Sequence, residues 1–299
     1  MSFNKFDIHG VWDLSGLGFR GATSEVSDVQ KMGEHKWRLC VNQESNNVFE
    51  FKIVQDTPEV PNRTWIFYFE IKLAVQTTRE QVFRYKRNLV IDPRKCEGPI
   101  MFWNCERGYI ESVTYDMTCS LYEFKDPAHC EETGLHLFKV GDLEFMVSKQ
   151  TAIKKVSEFK KKFKNADHLE MEADPYDGLY FMTMVCGPAN FAEKLLNDKN
   201  IDKLIDLSVD LGAKSVAKLC EKYMIDNGED WFFTRKLYMA DKLGSLRFLN
   251  RAISSVDYLS SSYLASILRD PKAGSLKHRT QVEMGKKIYA LVQQERSSR

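Results

Sequence analysis

The sequence predicts a multidomain protein: an N-terminal antiparallel β-sandwich, a central α/β unit and a C-terminal α-helical extension. Two observations lead to this prediction. Apolar residues recur at every second position in several segments between residues 36 and 124, which is typical of strands. From residue 151 onwards they recur mostly at helical spacing, interrupted by one short strand. This change of period favours separate layers of secondary structure within one chain.

The N-terminal region alternates most clearly between Thr64 and Val75. Six apolar residues fall on one face of this predicted strand, namely Trp65, Phe67, Phe69, Ile71, Leu73 and Val75. Shorter segments around Trp37 and Phe51 alternate in the same way, and turn signals at 57–62 and 92–95 separate the strands. Several strands with regular turn signals predict an antiparallel sandwich.

The central region begins with a Gly-Asp turn at Gly141, followed by alternating apolar residues up to Gln150. Helical spacing then appears at Ile153, Val156, Phe159 and Phe163. A short strand is predicted at 169–171, and Asp174 followed by Pro175 predicts the cap and first residue of a helix. Two amphipathic helices follow, up to Asn227.

Two segments delimit the central region. Residues 126–134 contain a proline, an acidic pair and a glycine between two periodic regions, which is typical of a linker. After residues 227–230 the chain remains helical to its end. The predicted domains are therefore 1–126, 135–228 and 229–299, with a linker at 127–134.

Composition narrows the class of protein. A net charge of +1 provides no global field for nucleic acid or an anionic membrane. No apolar run approaches the roughly 20 residues that span a bilayer, and the first residues lack the apolar core of a secretory signal. Seven scattered cysteines favour reduced thiols. We therefore expect an intracellular protein, in the cytoplasm or the nucleus, that binds neither nucleic acid nor membrane.

Motifs that carry chemistry are weak in this sequence. Residues 16–21 match G-x-G-x-x-G, but no strand–helix context surrounds them, so a loop is the better interpretation. The six histidines never occur at metal-ligand spacing. We therefore predict no catalytic residue, no cofactor and no metal, and hence no enzyme. A lysine run at 154–164 is interpreted as a solvated helix face, with nucleic-acid binding or nuclear import as the alternative.

The order strand, helical hairpin, strand and helices between residues 141 and 227 resembles the BTB (POZ) domain. The resemblance includes Val-Ser-Lys at 147–149 and Leu-Cys-Glu-Lys-Tyr at 219–223. The N-terminal region resembles a MATH (TRAF-like) domain through three strands, at 35–39, 64–76 and 116–124. The C-terminal helices resemble the three-box or BACK extension that follows many BTB domains. The resemblance implies a divergent MATH-BTB adaptor.

In that family the BTB domain forms a homodimer and binds a cullin scaffold, and the MATH domain captures a peptide of the substrate protein. The resemblance implies three sets of site residues. Cullin-facing candidates are Phe163, Lys164, Asn165, Ala166 and Asp167. Dimer-interface candidates are Leu135, Leu137 and Val140. Peptide-groove candidates are Phe102 and Trp103.

The sequence departs from the family at each of these places. The loop at 164–167 lacks the hydrophobic-x-Glu element of many cullin-binding BTB domains. No clear Asp precedes the first BTB-like strand, and Ser148 stands where a His is usual. The segment 97–103 keeps the glycine of the family's Trp-Gly-Phe but not its flanking aromatics. The expected function is a substrate-recognition subunit of a cullin-RING ubiquitin ligase. The alternative is a non-degradative BTB scaffold or a transcription-associated oligomerisation protein.

Overall fold

The computed structural model describes residues 2–14, 24–32, 35–45, 48–56, 64–79, 81–91, 97–104, 110–130, 134–163, 166, 168–255, 261–269 and 274–297. The chain forms two compact units. The first contains residues 1–150 and 165–195, and the second contains residues 151–164 and 196–299. Antiparallel sheets occupy the N-terminal half and most helices the C-terminal half, which confirms the predicted layout of β followed by α.

The strands in chain order are β1 (Ser2–Asp13), β2 (Ser24–Val26), β3 (Gln30–Met32), β4 (His35–Ser45), β5 (Val48–Gln55), β6 (Trp65–Thr77), β7 (Val82–Val90), β8 (Glu97–Asn104), β9 (Ile110–Glu123), β10 (Leu135–Val140), β11 (Leu143–Ser148) and β12 (Leu169–Met171). The N-terminal strands form two antiparallel sheets, with orders β1-β9-β6-β7 and β2-β4-β5-β8, and β3 also pairs with β4. A third sheet has the order β11-β10-β12, in which β12 is parallel to β10.

The helices are α1 (Lys149–Lys155), α2 (Ser157–Lys162), α3 (Pro175–Cys186), α4 (Ala189–Lys194), α5 (Ile201–Asp210), α6 (Lys214–Asn227), α7 (Phe233–Leu243), α8 (Leu246–Ser254), α9 (Ser261–Arg269) and α10 (His278–Ser297). The helical spacing predicted from 153 to 163 is interrupted at Val156, which adopts an extended conformation and separates α1 from α2. Because the Val156 side chain is fully buried, the apolar spacing is kept across this break.

Apolar side chains of the two N-terminal sheets form one core. Every second residue of β6, from Trp65 to Val75, is buried in it, which confirms the predicted alternation. Trp37 of β4 lies edge-to-face against Phe67 and Phe69, with ring centroids 4.8 and 5.4 Å apart. Such aromatic pairs add about 0.5–1.5 kcal/mol each to the burial itself.

Helix α3 packs closely on the third sheet of the first unit. Asp174 caps it as predicted, because its Oδ1 accepts hydrogen bonds from the backbone N–H groups of Tyr176 (3.1 Å) and Asp177 (3.2 Å). Gly178 permits the close approach: a Cβ there would lie 2.6 Å from Val140 Cγ2 and 2.7 Å from Met171 Cε. The close approach of α3 to the third sheet therefore depends on the absence of a side chain at Gly178.

Within the first unit, the sandwich contacts the elements that follow it. The Phe124 and Phe145 rings lie 4.5 Å apart. On the other side of β1 and β9, Phe191 of α4 packs against Phe3 and Tyr122, with centroids 5.5 and 5.9 Å apart. Contacts within the first unit therefore join residues on both sides of the predicted linker at 127–134. The predicted domain boundaries stay a prediction.

The helices of the second unit are joined by a short turn and by side-chain hydrogen bonds near their ends. The α5–α6 pair is joined by a short turn at 211–213. Asp241 of α7 joins that helix to α10, since its Oδ1 accepts hydrogen bonds from Lys277 N at 2.9 Å and Thr280 Oγ1 at 2.5 Å. In α9, Ser261 donates from its N–H and hydroxyl to the Glu295 carboxylate, at 3.1 and 2.8 Å. These contacts order the C-terminal helices.

Candidate protein-interaction site

Strand β7 lies at an edge of its sheet. Among the described residues it pairs with β6 on one side and with no strand on the other. An unpaired edge presents backbone N–H and C=O groups that another extended chain can bind. The nine residues of β7 include no proline, and their register with β6 has no shift. This edge is therefore long and regular enough to accept a further strand.

Two aromatic side chains of β7 are exposed on the side of the sheet that faces the core. Phe83 is paired with Val75 and Tyr85 with Leu73, and both partners are buried. Because paired residues of neighbouring strands share a face, both aromatics lie on the core-facing side. Their exposed fractions are nevertheless 45% and 37%. The rings of Phe83 and Tyr85 are therefore partly accessible to solvent at this end of β7.

The other end of β7 is closed by the second sheet. Arg87 Nη1 donates a hydrogen bond of 2.8 Å to the carbonyl oxygen of Ile100 on β8. Leu89 packs against the core, and a Cβ added to Gly98 of β8 would lie 2.7 Å from its Cδ2. β8 therefore contacts β7 at Arg87 and lies close to Leu89.

The opposite side of β7 is basic. Arg84 and Lys86 are exposed there, and no carboxylate in the described part of the chain forms an ion pair with either. Lys86 is paired with Lys72 of β6, whose ammonium already lies 3.0 Å from Asp116. That ammonium holds the pKa of the Asp116 carboxyl below its usual value. Lys72, rather than Lys86, therefore lies close enough to balance the negative charge of Asp116.

A second carboxylate near β7, that of Glu70, also forms an ion pair with another cation. Lys194 of α4 forms an ion pair with Glu70 and lies over the Tyr68 ring, 4.6 Å from its centroid. The hydrogen bond from Lys194 is the main cause that lowers the pKa of Glu70, and the charge of Lys86 adds to it. Since the carboxylates of Asp116 and Glu70 both have closer cations, neither fully balances the charges of Arg84 and Lys86 on the basic side of β7.

Strand β7 is missing from the elements that the sequence patterns predict. A signal was present, because Phe83 and Tyr85 alternate with Arg84 and Lys86. The charge of Arg87 interrupts the apolar side of this pattern, and only the structure shows that its guanidinium reaches the Ile100 carbonyl.

The predicted peptide-groove residues lie on β8. In the backbone register Phe102 is paired with Glu50 and Trp103 with Phe49 of β5. The side chains of both residues lie outside the described part of the structure. Their strand is the one that Arg87 contacts through Ile100, so the predicted groove strand and β7 are neighbours within the first unit.

A cavity of about 460 Å³ lies on the outer face of the second sheet. It is lined by Val26, Arg38, Cys40, Lys52, Val54, Gln55, Asp56 and Glu97. Its charges are balanced, since Arg38 Nε lies 3.0 Å from Asp56 Oδ1 and Lys52 Nζ lies 3.3 Å from Glu97 Oε2. Burial raises the pKa of the Cys40 thiol, which disfavours a nucleophilic thiolate. The paired charges that line this cavity therefore give no preference for an anionic or a cationic ligand.

The predicted dimer-interface residues occupy β10. Leu135 and Leu137 are half-buried, whereas the Val140 side chain is fully buried and lies against Gly178 of α3. Of the three, the two leucines present apolar surface that a second copy can contact. Their role in dimerisation stays a prediction.

The predicted cullin-facing residues are described in part. Phe163 is 2% exposed within the second unit, and Ala166 is half-buried. Lys164, Asn165 and Asp167 lie outside the described residues. Because the Phe163 ring is buried, it can serve an interface only by supporting the residues around it.

Groups able to perform chemistry are not brought together in the described residues. No cluster of three or more His, Cys, Asp or Glu side chains there has the geometry to hold a metal ion. Burial raises the pKa of the Cys220 thiol to about 12 and that of Cys119 in the same direction. Among the described helices, none has the length and apolar character needed to cross a bilayer.

Comparisons with known proteins add little. No family model matches the sequence, and no curated protein matches it. Among solved structures, the host-selective toxin Ptr ToxA of Pyrenophora tritici-repentis is 11% identical, with a TM-score of 0.21 over 36% of this chain and 94% of the toxin. An exo-β-agarase is 10% identical, with a TM-score of 0.14 over 44% of this chain and 27% of the enzyme. TM-scores this low bear on neither fold nor function.

Proposed function

We propose that this protein is a protein-interaction adaptor whose first unit binds an extended segment of a substrate protein along β7. The observation that carries the proposal is the combination of an unpaired edge with exposed Phe83 and Tyr85. Main-chain hydrogen bonds to an edge supply affinity, and side-chain pockets on alternate positions supply specificity. The exposed rings of Phe83 and Tyr85 are the side chains that would contact apolar residues of such a segment.

The charge of β7 favours this use over uncontrolled pairing. Lysine and arginine on an edge strand discourage it from pairing with an identical edge, because like charges would face each other. The same charges attract a segment that carries acidic residues. Arg84 and Lys86 therefore both protect the edge and select its partner.

The remainder of the proposal follows from the resemblance to MATH-BTB adaptors. In this proposal the chain forms a homodimer and binds a cullin scaffold, as the substrate-recognition subunit of a cullin-RING ubiquitin ligase. No catalytic residue is needed, because two linked binding sites raise the local concentration of the substrate near the conjugating enzyme. The helices after residue 229 support it, since the family's cullin-binding members carry a helical extension there.

The edge-strand proposal is tested by selecting random twelve-residue displayed peptides against the full chain. We expect enriched peptides to be acidic, with apolar residues at every second position. The double variant Arg84→Glu/Lys86→Glu is expected to weaken the best peptide by about tenfold or more, since two attractions become repulsions of several tenths of a kcal/mol each.

A charge-matched control is Arg247→Glu/Arg251→Glu, which changes two exposed arginines of α8. It should keep the peptide affinity within about twofold, since single surface charges alter binding little when they lie outside the interface. Selection of no peptide, or equal losses in both double variants, would refute the use of β7.

The second candidate function is a non-degradative scaffold or a transcription-associated oligomerisation protein. One observation favours it: Phe163, the apolar member of the predicted cullin-facing set, is buried. A pull-down of purified full chain with a purified cullin N-terminal domain separates the two functions. We expect the cullin to be retained if the chain serves a ligase; an empty pull-down with intact folding selects the scaffold.

A further inference from the structure

The second unit carries lysines along two helices that meet at one turn. Ser157 and Glu158 begin α2 beside the α5–α6 turn: Glu158 N donates to the Leu211 carbonyl at 3.2 Å, and Ser157 Oγ lies 3.4 Å from the carbonyls of Leu211 and Gly212. Helix α6 begins two residues later, at Lys214. The starts of both helices are therefore neighbours.

The buried residues of these helices leave the lysines on the outside. Phe159 anchors α2, and Val216, Cys220 and Met224 anchor α6. Six exposed lysines occupy other positions, and we call them the lysine face: Lys160, Lys161, Lys162, Lys214, Lys218 and Lys222. On α6 they recur every four residues, so they form one stripe about 12 Å long.

Few acidic groups balance this face. Glu158 lies 2.7 Å from Lys161, and Glu221 accepts a hydrogen bond from Ser245. Asp210 at the end of α5 is the remaining carboxylate close to the turn in sequence. Four of the lysines, Lys160, Lys162, Lys214 and Lys218, form no ion pair with a carboxylate in the described part of the unit.

Helix stability does not account for the α6 stripe. Lys214 occupies the first turn, where a cation opposes the helix dipole by about 0.3–1 kcal/mol. Successive lysines four residues apart repel each other by about 0.2–0.5 kcal/mol per pair. Glu221, three residues after Lys218, and Asp226, four residues after Lys222, offset part of this repulsion. No acidic residue lies in the first turn beside Lys214, so a bound anionic chain would relieve the repulsion at that end of α6.

We propose that the lysine face binds an acidic segment of a partner protein, independently of β7. Flexible ammonium groups at regular spacing match a run of Asp and Glu side chains without requiring a fixed shape. A net charge of +1 over the whole chain gives no global field that would attract a nucleic acid. A polypeptide is therefore favoured over a nucleic acid as the anionic ligand.

The test uses the full chain and a fluorescent twelve-residue glutamate peptide, with binding followed by anisotropy at several salt concentrations. The variant Lys214→Glu/Lys218→Glu is expected to lose about tenfold in affinity, because two attractions become repulsions. This variant places acid at the helix N-terminus, which favours α6, so unfolding does not explain a loss.

The control Lys31→Glu/Lys36→Glu changes two exposed lysines of β3 and β4, in the first unit, by the same charge. It should bind the peptide within about twofold of the unaltered chain. The proposal is overturned if the peptide does not bind, if both variants lose affinity equally, or if a duplex DNA of equal charge binds more tightly than the peptide.

Discussion

Replacing Phe145 with alanine is expected to destabilise the first unit by about 3–5 kcal/mol, the range for a buried phenylalanine. Its side chain is fully buried, and its ring lies 4.5 Å from Phe124 and 5.3 Å from Phe138. Urea unfolding followed by fluorescence and circular dichroism measures the loss. Phe232→Ala is the matched control, because Phe232 is 85% exposed and should change stability by no more than about 0.5 kcal/mol.

The Phe145→Ala variant also tests whether the predicted linker at 127–134 separates two independently folded domains. Phe124 follows the last strand of the sandwich and Phe145 lies in β11, so the pair spans that division. If the two regions unfold together, Phe145→Ala should destabilise the sandwich around Trp37 and the helices α3 and α4 of the first unit in parallel. Equal stability of Phe145→Ala and Phe232→Ala, or a sandwich transition that does not move, would contradict a shared core.

Gly212→Ala is expected to destabilise the second unit by about 2–4 kcal/mol, through backbone strain and overpacking together. Gly212 has φ +66°, a left-handed conformation that alanine adopts at a cost, and an added Cβ would lie 2.0 Å from Ser157 Oγ. The double variant Gly212→Ala/Ser157→Ala should recover part of the loss, since it removes the collision and leaves the strain.

Gly285→Ala provides the opposite control. Gly285 lies within α10, and beyond its chain neighbours and the adjacent backbone of that helix no described heavy atom would lie within 4 Å of an added Cβ. Alanine there should stabilise the chain by about 0.5–1 kcal/mol through helix propensity. Denaturant midpoints of the variants decide the matter; a Gly212→Ala protein as stable as the Gly285→Ala protein would contradict the described turn.

The elements that the sequence predicted well are those where burial and local chemistry agree. The alternation in β6 and the cap at Asp174 are examples, because each depends on residues near in sequence. A helical hairpin was predicted in this region, but the position of its break at Val156 was not, since the apolar spacing continues through it. The role of Phe191, which covers β1 and β9 through Phe3 and Tyr122, depends on tertiary packing that periodicity does not encode.

The candidate site was harder to predict for the same reason. Exposed Phe83 and Tyr85 acquire meaning only when β7 is known to be an edge and β8 to cover one end of it. The family resemblance pointed to β8 through Phe102 and Trp103, the neighbouring strand. Charge compensation by Lys72 and Lys194, which leaves β7 basic, also requires coordinates.

Backbone amide hydrogen exchange with and without the tightest-binding selected peptide tests the edge-strand proposal most directly. The other edge of the same sheet, β1, is an internal control, because among the described strands it pairs with β9 alone and it carries both acidic and basic residues. We predict that the peptide slows exchange in residues 82–90 and leaves residues 2–13 unchanged. Unchanged exchange in β7, or equal slowing in both edges, would contradict the proposal.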